Sequence, residues 1–410
     1  MANCRMFGGV VDFPAKFSYE FMMQYRTDPK SGRRLSVLGF GCMRFPVSAA
    51  LREELITSAV KAGINYFDTA YLYPGSEAAL GAVLKKHDLR GKVFVADKLP
   101  QFMCKKPGDM EKLFAESLAR LQTDYIDYYL IHNMGSLDVW ERLAGLGIRD
   151  WIADKKEKGL IRGIGFSFHG KAPDLQPLLD AYAWDLCQIQ YNYMNENYQA
   201  GTAGLKAIHE RGMAAIIMEP LLGGKLAQRL PREAKEMFDS LRSDRTPAAW
   251  AFKWLLDKPE VTVLLSGMNA MEQLRENIAT ASDSPACSLS EEERAVFSRV
   301  YDAVSKSYKI PCTGCNYCLP CPGGVNIPGC FSACNLSYAL GFFSGIQLYF
   351  NSVLGLGSAF AGPGRCTGCG VCLKKCPQGI NIPGSLKQVR KRMEPLPIRA
   401  ALPLVKRIMS

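Results

Sequence analysis

Eight cysteines near the C-terminal end of the chain are arranged in two short runs. In each run, three cysteines are separated by two residues and a fourth is followed by proline: Cys312, Cys315, Cys318 and Cys321, then Cys366, Cys369, Cys372 and Cys376. This spacing lets one loop place three thiolates around a cubane while the fourth cysteine reaches a different cubane. We therefore predict two [4Fe–4S] clusters. Paired Cys-x2-Cys motifs also suit tetrahedral zinc, but the third cysteine of each run and the trailing prolines favour iron–sulfur clusters.

The fourth cysteine of each run is expected to ligate the cluster of the other run, as in two-cluster ferredoxins. The first predicted ligand set is Cys312, Cys315, Cys318 and Cys376, and the second is Cys366, Cys369, Cys372 and Cys321. The first run is one residue short of the usual spacing before Cys321. Cys330 and Cys334 lie between the runs at helical spacing. We interpret them as buried apolar thiols, and as the alternative ligands if Cys321 does not bind.

The rest of the chain alternates short apolar runs with longer amphipathic stretches, which is typical of parallel β/α units. We predict eight strands, at residues 37–41, 64–68, 92–98, 125–132, 161–167, 186–191, 214–219 and 261–267. Helices are predicted between them, for example over 51–63, 110–122, 137–159 and 246–259. Eight β/α units in about 250 residues indicate an α/β fold of the (β/α)8 TIM-barrel type, in which chemistry belongs at the C-terminal ends of the strands.

Four polar residues lie at or just after the predicted ends of the second, third and fourth strands: Asp68, Tyr73, Lys98 and His132. Taken singly, each would more often be a structural hydrogen-bond partner. Together they supply what reduction of a carbonyl requires. A phenol can protonate the developing alkoxide, a lysine can lower the phenol's pKa, a carboxylate can keep the lysine charged, and an imidazole can orient the carbonyl.

The segments around these residues resemble those of the aldo-keto reductase family. The resemblance is carried, in order, by LGFGCMRFP, NYFDTAYLYPGSE, VFVADKLP, DYYLIHNM, GFSFHG, QIQYNYM, EPLLGGKL and LLSGMNAMEQLRENI, and it covers roughly residues 24–280. It implies that the four polar residues form the family's catalytic tetrad, with Tyr73 as the general acid. It also implies a nicotinamide cofactor, NADPH or NADH, and a small-molecule carbonyl substrate. The segment CTGCNYCLPCPGGVNIPGC resembles the junction in the subgroup that carries a C-terminal ferredoxin-like extension.

Later strand ends hold the positions that the resemblance assigns to the cofactor. Ser167 and Gln190 correspond to the residues that hold the nicotinamide carboxamide. The positions that clamp the cofactor's phosphate and adenine are Ser266, Gly267, Met268, Glu276 and Asn277.

Three residues depart from the family's pattern. Met218 stands where many members place a tyrosine that stacks on the nicotinamide, and a thioether packs less directionally than an aromatic ring. Gln273 stands where NADPH-specific members often place an arginine. A neutral amide lacks that charge-assisted contact with the 2′-phosphate, so the preference for NADPH over NADH cannot be carried across. Phe168 replaces the amide-bearing residue that often follows Ser167, with His169 as a substitute.

The composition indicates the class of protein, the compartment in which it works and the kind of partner it binds. With 410 residues, 48% of them hydrophobic, the chain can bury a barrel-sized core and a small second one. Cysteines that serve clusters rather than disulfides indicate a reducing, cytoplasmic location. More than half of the net charge of +11 lies in residues 387–410. Because aromatic residues are not interleaved there, we expect a solvated tail or a docking patch for an acidic partner such as a redox protein, and no nucleic acid.

The predicted organisation has four parts. An N-terminal extension (1–23) precedes the TIM barrel (24–305), which is followed by a small, mainly helical ferredoxin-like iron–sulfur domain (306–386) and a basic tail (387–410). The apolar segment at 336–362 approaches the length of a bilayer span, although glycines, a glutamine and an asparagine dilute it. We interpret it as helices packed between the cluster loops and the barrel, with membrane contact as the alternative.

These features lead to three functional hypotheses of different classes. The first is nicotinamide-dependent reduction of an aldehyde or ketone to an alcohol, with the clusters structural, redox-sensing or feeding another step. The second is an electron-transfer protein whose barrel binds a flavin or another cofactor and exchanges electrons with the clusters, although no motif indicates a flavin. A redox-responsive interaction module is a third. The intact tetrad favours the first.

Overall fold

The computed structural model describes residues 22–353, 360–396 and 398. A short antiparallel hairpin of β1 (Tyr25–Thr27) and β2 (Arg34–Ser36) comes first. In the described chain, eight parallel strands then close a barrel: β3 (Leu38–Gly41), β4 (Tyr66–Asp68), β5 (Phe94–Leu99), β6 (Tyr128–Ile131), β7 (Ile164–Phe168), β8 (Leu186–Gln190), β9 (Ala214–Met218) and β10 (Val263–Ser266). Each strand pairs with the next, and β10 pairs with β3. The predicted TIM barrel and all eight predicted strands are confirmed.

Side-chain alternation along the strands separates the barrel interior from the surface covered by helices. Residues such as Tyr66, Ala96 and Tyr128 fill the interior, and Leu35 from the hairpin packs against them. Two residues farther along β4 and β5, the same inward face carries Asp68 and Lys98. The interior is therefore apolar at its base and polar at the C-terminal ends of the strands.

The described helices follow the predicted alternation. They are α1 (Ala49–Lys61), α2 (Ser76–Lys86), α3 (Asp109–Leu121), α4 (Leu137–Gly145), α5 (Ile148–Glu157), α6 (Ala172–Asp180), α7 (Gly201–Glu210), α8 (Lys225–Gln228), α9 (Arg232–Leu241), α10 (Pro247–Leu256), α11 (Met271–Ser282), α12 (Glu291–Ser305), α13 (Ile327–Ala339), α14 (Phe342–Ser352), α15 (Val371–Lys375) and α16 (Ile382–Met393). The single helix expected over 137–159 is wrong. It is two helices, because Gly147 adopts φ +83°, a left-handed conformation that ends a helix.

The C-terminal part is mainly helical, as expected, and α14 joins it to the barrel. Gln347 Oε1 accepts a hydrogen bond from Lys225 Nζ at 2.9 Å, and Asn351 Nδ2 donates to Glu219 Oε1 at 3.0 Å. Glu219 and Lys225 both follow β9, so this helix lies at the C-terminal end of the barrel. The described part of the segment 336–362 thus packs between the cluster region and the barrel, as interpreted; residues 354–359 lie outside the description.

The ends of the predicted domains are only partly described. Residues 1–21 of the N-terminal extension, and residues 397 and 399–410 of the basic tail, lie outside the described residues. The boundary proposed between residues 386 and 387 falls inside α16, so the first basic residues of the tail belong to a helix of the cluster region. Over the residues that were described, no helix combines the length and apolar character needed to cross a membrane.

Candidate active site

Asp68 and Lys98 form a buried ion pair at the C-terminal end of the barrel. The two residues end adjacent parallel strands, and Lys98 Nζ lies 2.6 Å from Asp68 Oδ1 and donates to the carbonyl oxygen of Thr69 at 2.7 Å. Only 1% of Lys98 and 3% of Asp68 is exposed. Burial lowers the pKa of Lys98, but the charge of Asp68 and its hydrogen bond to the ammonium group oppose this, and the pKa lies above its ordinary value. The lysine is therefore a fixed cation.

Tyr73 lies beside this cation in the loop between β4 and α2. Lys98 Nζ is 5.2 Å from the centroid of the Tyr73 ring. Burial raises the pKa of the Tyr73 phenol above its ordinary value, and the neighbouring Lys98 charge offsets this only in part. Lys98 thus lowers this pKa, as expected from the sequence, but burial has the larger effect and sets the net direction. The phenol is held protonated, in the form that can donate a proton.

His132 follows β6 and completes the group. Its ring stands nearly perpendicular to that of Tyr73, at 88° and with 6.0 Å between centroids. Burial, with the nearby charges of Lys98 and His169, lowers the pKa of His132 to about 3. The imidazole is therefore neutral near pH 7. Its Nδ1 is buried and has no hydrogen-bond partner among the described residues, so the ring has a polar atom available for a bound molecule.

Two neighbouring side chains belong to this site although they were not selected from the sequence. Gln188 lies two residues before Gln190 on β8 and faces the same interior. Burial raises the pKa of Asp68 above its ordinary value, and hydrogen bonding from Gln188 opposes this shift. The period of two along β8 was the signal that could have found Gln188. Cys42 is buried beside the ion pair. Burial raises its pKa well above the ordinary value, and the charge of Asp68 adds to this while that of Lys98 opposes it.

The residues expected to hold the nicotinamide carboxamide lie at neighbouring strand ends. Ser167 Oγ accepts a hydrogen bond from the Asn133 backbone N–H at 2.8 Å. Gln190 Nε2 donates to Asn195 Oδ1 at 3.0 Å, whereas its buried Oε1 has no partner within the described chain. Met218 pairs in register with Gln190 on the adjacent strand. A free carbonyl oxygen beside a flexible thioether suits a planar ring bearing an amide.

The residues expected to hold the cofactor's phosphate and adenine follow β10 and begin α11. Ser266 Oγ accepts from Asn277 Nδ2 at 3.0 Å, which fixes the strand end against the helix. The intervening Gly267 is exposed and Met268 is buried. Gln273 Oε1 accepts the Asn269 backbone N–H at 3.0 Å, so this amide supports the loop.

The remaining member of that set, Glu276, accepts a hydrogen bond from Thr246 Oγ1 at the start of α10. Its side chain thus links two helices at the rim of the barrel. The structure brings the expected adenine and phosphate positions together on one loop and the first turns of one helix.

A cysteine-lined cavity joins the two runs in space. Four cysteines line a cavity that is open to solvent and encloses about 320 Å³ when the space at its mouth is included: Cys312, Cys315, Cys318 and Cys376. Three come from the first run and the fourth from the second, as cross-ligation requires. Apolar side chains such as Phe331, Ile380 and Ile382 form most of the rest of its wall, which also includes Asn316 and Gln378. Thiolate donors in a mostly apolar wall suit an iron–sulfur cluster.

The other four cysteines also come together. Burial raises the pKa of Cys372, and three neighbouring cysteines raise it further: Cys321, Cys366 and Cys369. Cys321 therefore lies near the cysteines of the second run, although the spacing before it is one residue short. Cys330 and Cys334 are buried in α13.

The two runs belong to an internal repeat that the sequence analysis overlooked. Both begin with CTGC and lead into NIPG. The glycines of the two CTGC motifs adopt φ +72° (Gly314) and +74° (Gly368), a conformation that favours glycine and curves the loop. Asn326 and Asn381 then cap α13 and α16, each accepting the backbone N–H of the residue three positions on at 3.1 Å. The signal was a repeated motif of about 18 residues.

Comparison with protein families agrees with this geometry. Residues 37–293 match the aldo/keto reductase family, and residues 311–381 match the 4Fe-4S dicluster domain. The second match favours iron–sulfur clusters over zinc.

Two curated relatives are similar to most of the barrel. An aldo-keto reductase of Mycolicibacterium vanbaalenii is 31% identical over 252 residues, which cover 60% of this chain and 82% of the relative. Protein tas of Escherichia coli is 27% identical over 321 residues, covering 62% of this chain and 92% of the relative.

Solved structures resemble the same region. The aldo-keto reductase AKR11C1 from Bacillus halodurans, in its holo form, has a TM-score of 0.58 and 26% identity, covering 68% of this chain and 96% of that chain. An aldo-keto reductase from Klebsiella pneumoniae in complex with NADPH has a TM-score of 0.56 and 24% identity, covering 68% and 95%. The latter similarity concerns the fold.

Proposed function

The chain belongs to the aldo-keto reductase family, and on this basis we propose that it reduces the carbonyl group of a small aldehyde or ketone to an alcohol with NADPH or NADH. The observation that carries this proposal is the buried ion pair of Asp68 and Lys98 beside a protonated Tyr73, with a neutral His132 across from it. When bound, the nicotinamide supplies a hydride to the carbonyl carbon.

Each residue of this group has a distinct task in the proposal. Tyr73 donates its phenolic proton to the oxygen on which negative charge develops, and the Lys98 cation stabilises the phenolate that remains. Asp68 keeps the lysine charged in a site where burial alone would favour its neutral form. The neutral His132 orients the carbonyl oxygen by donating a ring N–H, a role that an uncharged imidazole can fill.

The cofactor is proposed to lie along the C-terminal strand ends. Ser167 and the free Oε1 of Gln190 would hold the carboxamide, with Met218 against the ring. The loop and helix start after β10 would hold the phosphate and adenine through Ser266, Gly267, Met268, Gln273, Glu276 and Asn277. The unpartnered, buried oxygen of Gln190 supports this assignment, because such an atom costs free energy until a ligand satisfies it.

The cluster region is proposed to hold two [4Fe–4S] clusters in the cross-ligated arrangement. The shared cavity supports the first set, and the proximity of Cys321 to the second run supports the other. A nicotinamide delivers two electrons as hydride and a cubane passes one at a time, so carbonyl reduction by the tetrad does not require the clusters to take part.

A tyrosine-to-phenylalanine variant tests the proposed reaction. The protein, purified without oxygen, is assayed for oxidation of NADPH and NADH with a panel of aldehydes and ketones. Tyr73→Phe should lower kcat by about 100-fold or more, while the affinity for the coenzyme stays within about twofold. Tyr71→Phe is the matched control, because the Tyr71 hydroxyl donates to Glu116 outside the site. Wild-type turnover by Tyr73→Phe would show that this phenol is not the acid.

The alternative is an electron-transfer protein with a flavin in its barrel. The visible spectrum of the same anaerobic preparation distinguishes it from the reductase. Broad cluster absorbance alone agrees with the nicotinamide-dependent reductase. Superimposed flavin bands that remain after gel filtration would favour the alternative.

A further inference from the structure

The net charge of the protein belongs entirely to its iron–sulfur part. Residues 306–410 contain 12 of the 50 lysines and arginines but only one of the 39 acidic residues, so they carry the whole excess of +11 and residues 1–305 are neutral. The one acidic residue, Glu394, is buried and accepts the hydroxyl of Tyr349. The exposed surface of the described cluster region therefore carries cationic groups with little compensation.

The two cysteine runs have different surroundings. The first run lies against the barrel: a β-carbon on Gly314 would come within 2.9 Å of the Asn197 carbonyl oxygen, in the loop after β8. The second run faces solvent. Thr367, Gly368 and Cys369 are exposed, and so are most residues from 371 to 379. Cys315 and Tyr317 of the first run are exposed as well. Solvent therefore reaches both runs, and the second run has the longer exposed stretch.

The exposed second run has the composition of a docking surface. Lys374 and Lys375 are exposed on α15, beside Val371 and Leu373, whose side chains are 38% and 43% exposed. A small apolar centre within a charged rim is the usual anatomy of a protein interface.

Helix α16 extends the same charge. Lys387 and Lys391 are exposed on this helix, and a β-carbon on Gly364, two residues before Cys366, would lie 3.6 Å from Cζ of Arg390. The basic helix therefore adjoins the second run, and its charge continues that of α15.

We propose that residues 367–375 together with the exposed basic side chains of α16, here called the basic face, form the docking site of an acidic one-electron carrier protein. The carrier exchanges one electron with the cluster held by the second run. The carrier loses the electron that the cluster gains, or the reverse, and no bond changes and no proton moves. The inference rests on the proposed second cluster and is independent of carbonyl reduction, and the iron content measured in the test separates the failure of one from the failure of the other.

The position of the charge selects this partner over other polyanions. Lysines that surround an exposed cluster loop steer an acidic protein so that its redox centre comes close to the cluster, which electron transfer requires. Nucleic acid and anionic lipid would be attracted by the same charge, but neither has an electron to exchange at the centre of the face.

The test uses the full-length protein with its clusters and an acidic [2Fe–2S] ferredoxin as the probe. Binding is measured by calorimetry under anaerobic conditions, at about 0.05 M and about 0.3 M ionic strength, because screening weakens contacts between exposed charges. Electron transfer from the reduced ferredoxin is followed separately by electron paramagnetic resonance of the clusters. Lys374→Glu/Lys375→Glu should weaken binding about tenfold or more and slow the transfer, with the iron content unchanged.

Two further variants keep this test decisive. Lys112→Glu/Lys206→Glu changes charge equally on exposed barrel helices and should leave binding unaffected. Lys387→Glu/Lys391→Glu changes α16, apart from the cysteine ligands, and should weaken binding even if the α15 variant loses iron. The proposal is overturned if the ferredoxin shows no salt-sensitive binding or if the barrel control weakens it equally. Binding of anionic vesicles and of an oligonucleotide is measured with the same variants. The proposal also fails if the basic-face variants weaken these two interactions and leave ferredoxin binding unchanged.

Discussion

The ammonium group of Lys98 lies 2.6 Å from Oδ1 of Asp68, and both groups are almost completely removed from water. They come from adjacent parallel strands, so the barrel itself fixes the distance between them. A buried pair of this kind adds little net stability, but removing one partner leaves an uncompensated buried charge.

A double-mutant cycle on this pair should therefore be strongly non-additive. Asp68→Asn and Lys98→Met should each lower the free energy of unfolding of the barrel by about 3 kcal/mol, whereas the double variant should lose less than the sum of the two. Denaturant unfolding followed by tryptophan fluorescence measures all four proteins. Additive losses would mean that the two charges do not interact in the folded protein.

The pH dependence of kcat/KM follows from Tyr73 and His132. A general acid works while it is protonated, so activity is present below the pKa of Tyr73 and is lost as the pH rises through it. Because burial raises that pKa, the alkaline limb should lie above about pH 10, the ordinary value for a phenol.

His132 should contribute no acidic limb in the usual assay range. Its pKa is lowered to about 3, so the ring stays neutral from about pH 5 upward. Rates measured with a stability check at each pH test both statements. An inflection near the ordinary imidazole pKa that disappears in His132→Asn would contradict the second.

Coenzyme preference should be weak because of Gln273. This neutral side chain accepts the Asn269 backbone N–H and offers no positive charge to a 2′-phosphate. NADH should therefore bind within about tenfold of NADPH, a difference below about 1.4 kcal/mol. Gln273→Arg should shift the ratio toward NADPH by about tenfold, and Gln273→Glu should shift it toward NADH. Titration of the wild type with both coenzymes would contradict this prediction if NADPH were favoured far beyond tenfold, and Arg275 would then be examined.

The sequence predicted the barrel well because its signal is local. Each strand is a short apolar run, and the inward positions alternate so regularly that Asp68, Lys98 and Gln190 could be placed at strand ends before any coordinates. The break at Gly147 was missed because amphipathic periodicity continues on both sides of it. Gly145 and Gly147 were the contrary signs.

What could not be predicted depends on packing between distant segments. The net direction of the Tyr73 pKa results from burial competing with one nearby charge, and sequence spacing gives no measure of burial. The loop contact of Gln273 and the place of Cys42 beside the ion pair likewise arise from residues brought together by folding.

Cluster assembly should reveal the exchange of ligands between the two cysteine runs. Cys376 belongs to the second run in sequence but lines the cavity formed by the first. Anaerobically prepared wild-type protein should hold about eight irons per chain, and Cys376→Ala should fall toward about four while keeping the cluster of Cys366, Cys369 and Cys372. Iron analysis and electron paramagnetic resonance after reduction measure this loss.

Cys287→Ala is the matched control for that variant, because Cys287 is an exposed cysteine in the loop after α11 and should lose no iron. Cys321→Ala should give the complementary result and damage the second cluster, since Cys321 lies near Cys372. If Cys321→Ala instead keeps about eight irons and Cys330→Ala loses about four, then the buried thiol of α13 is the ligand. The shorter spacing before Cys321 would then have correctly indicated that this cysteine is not a ligand.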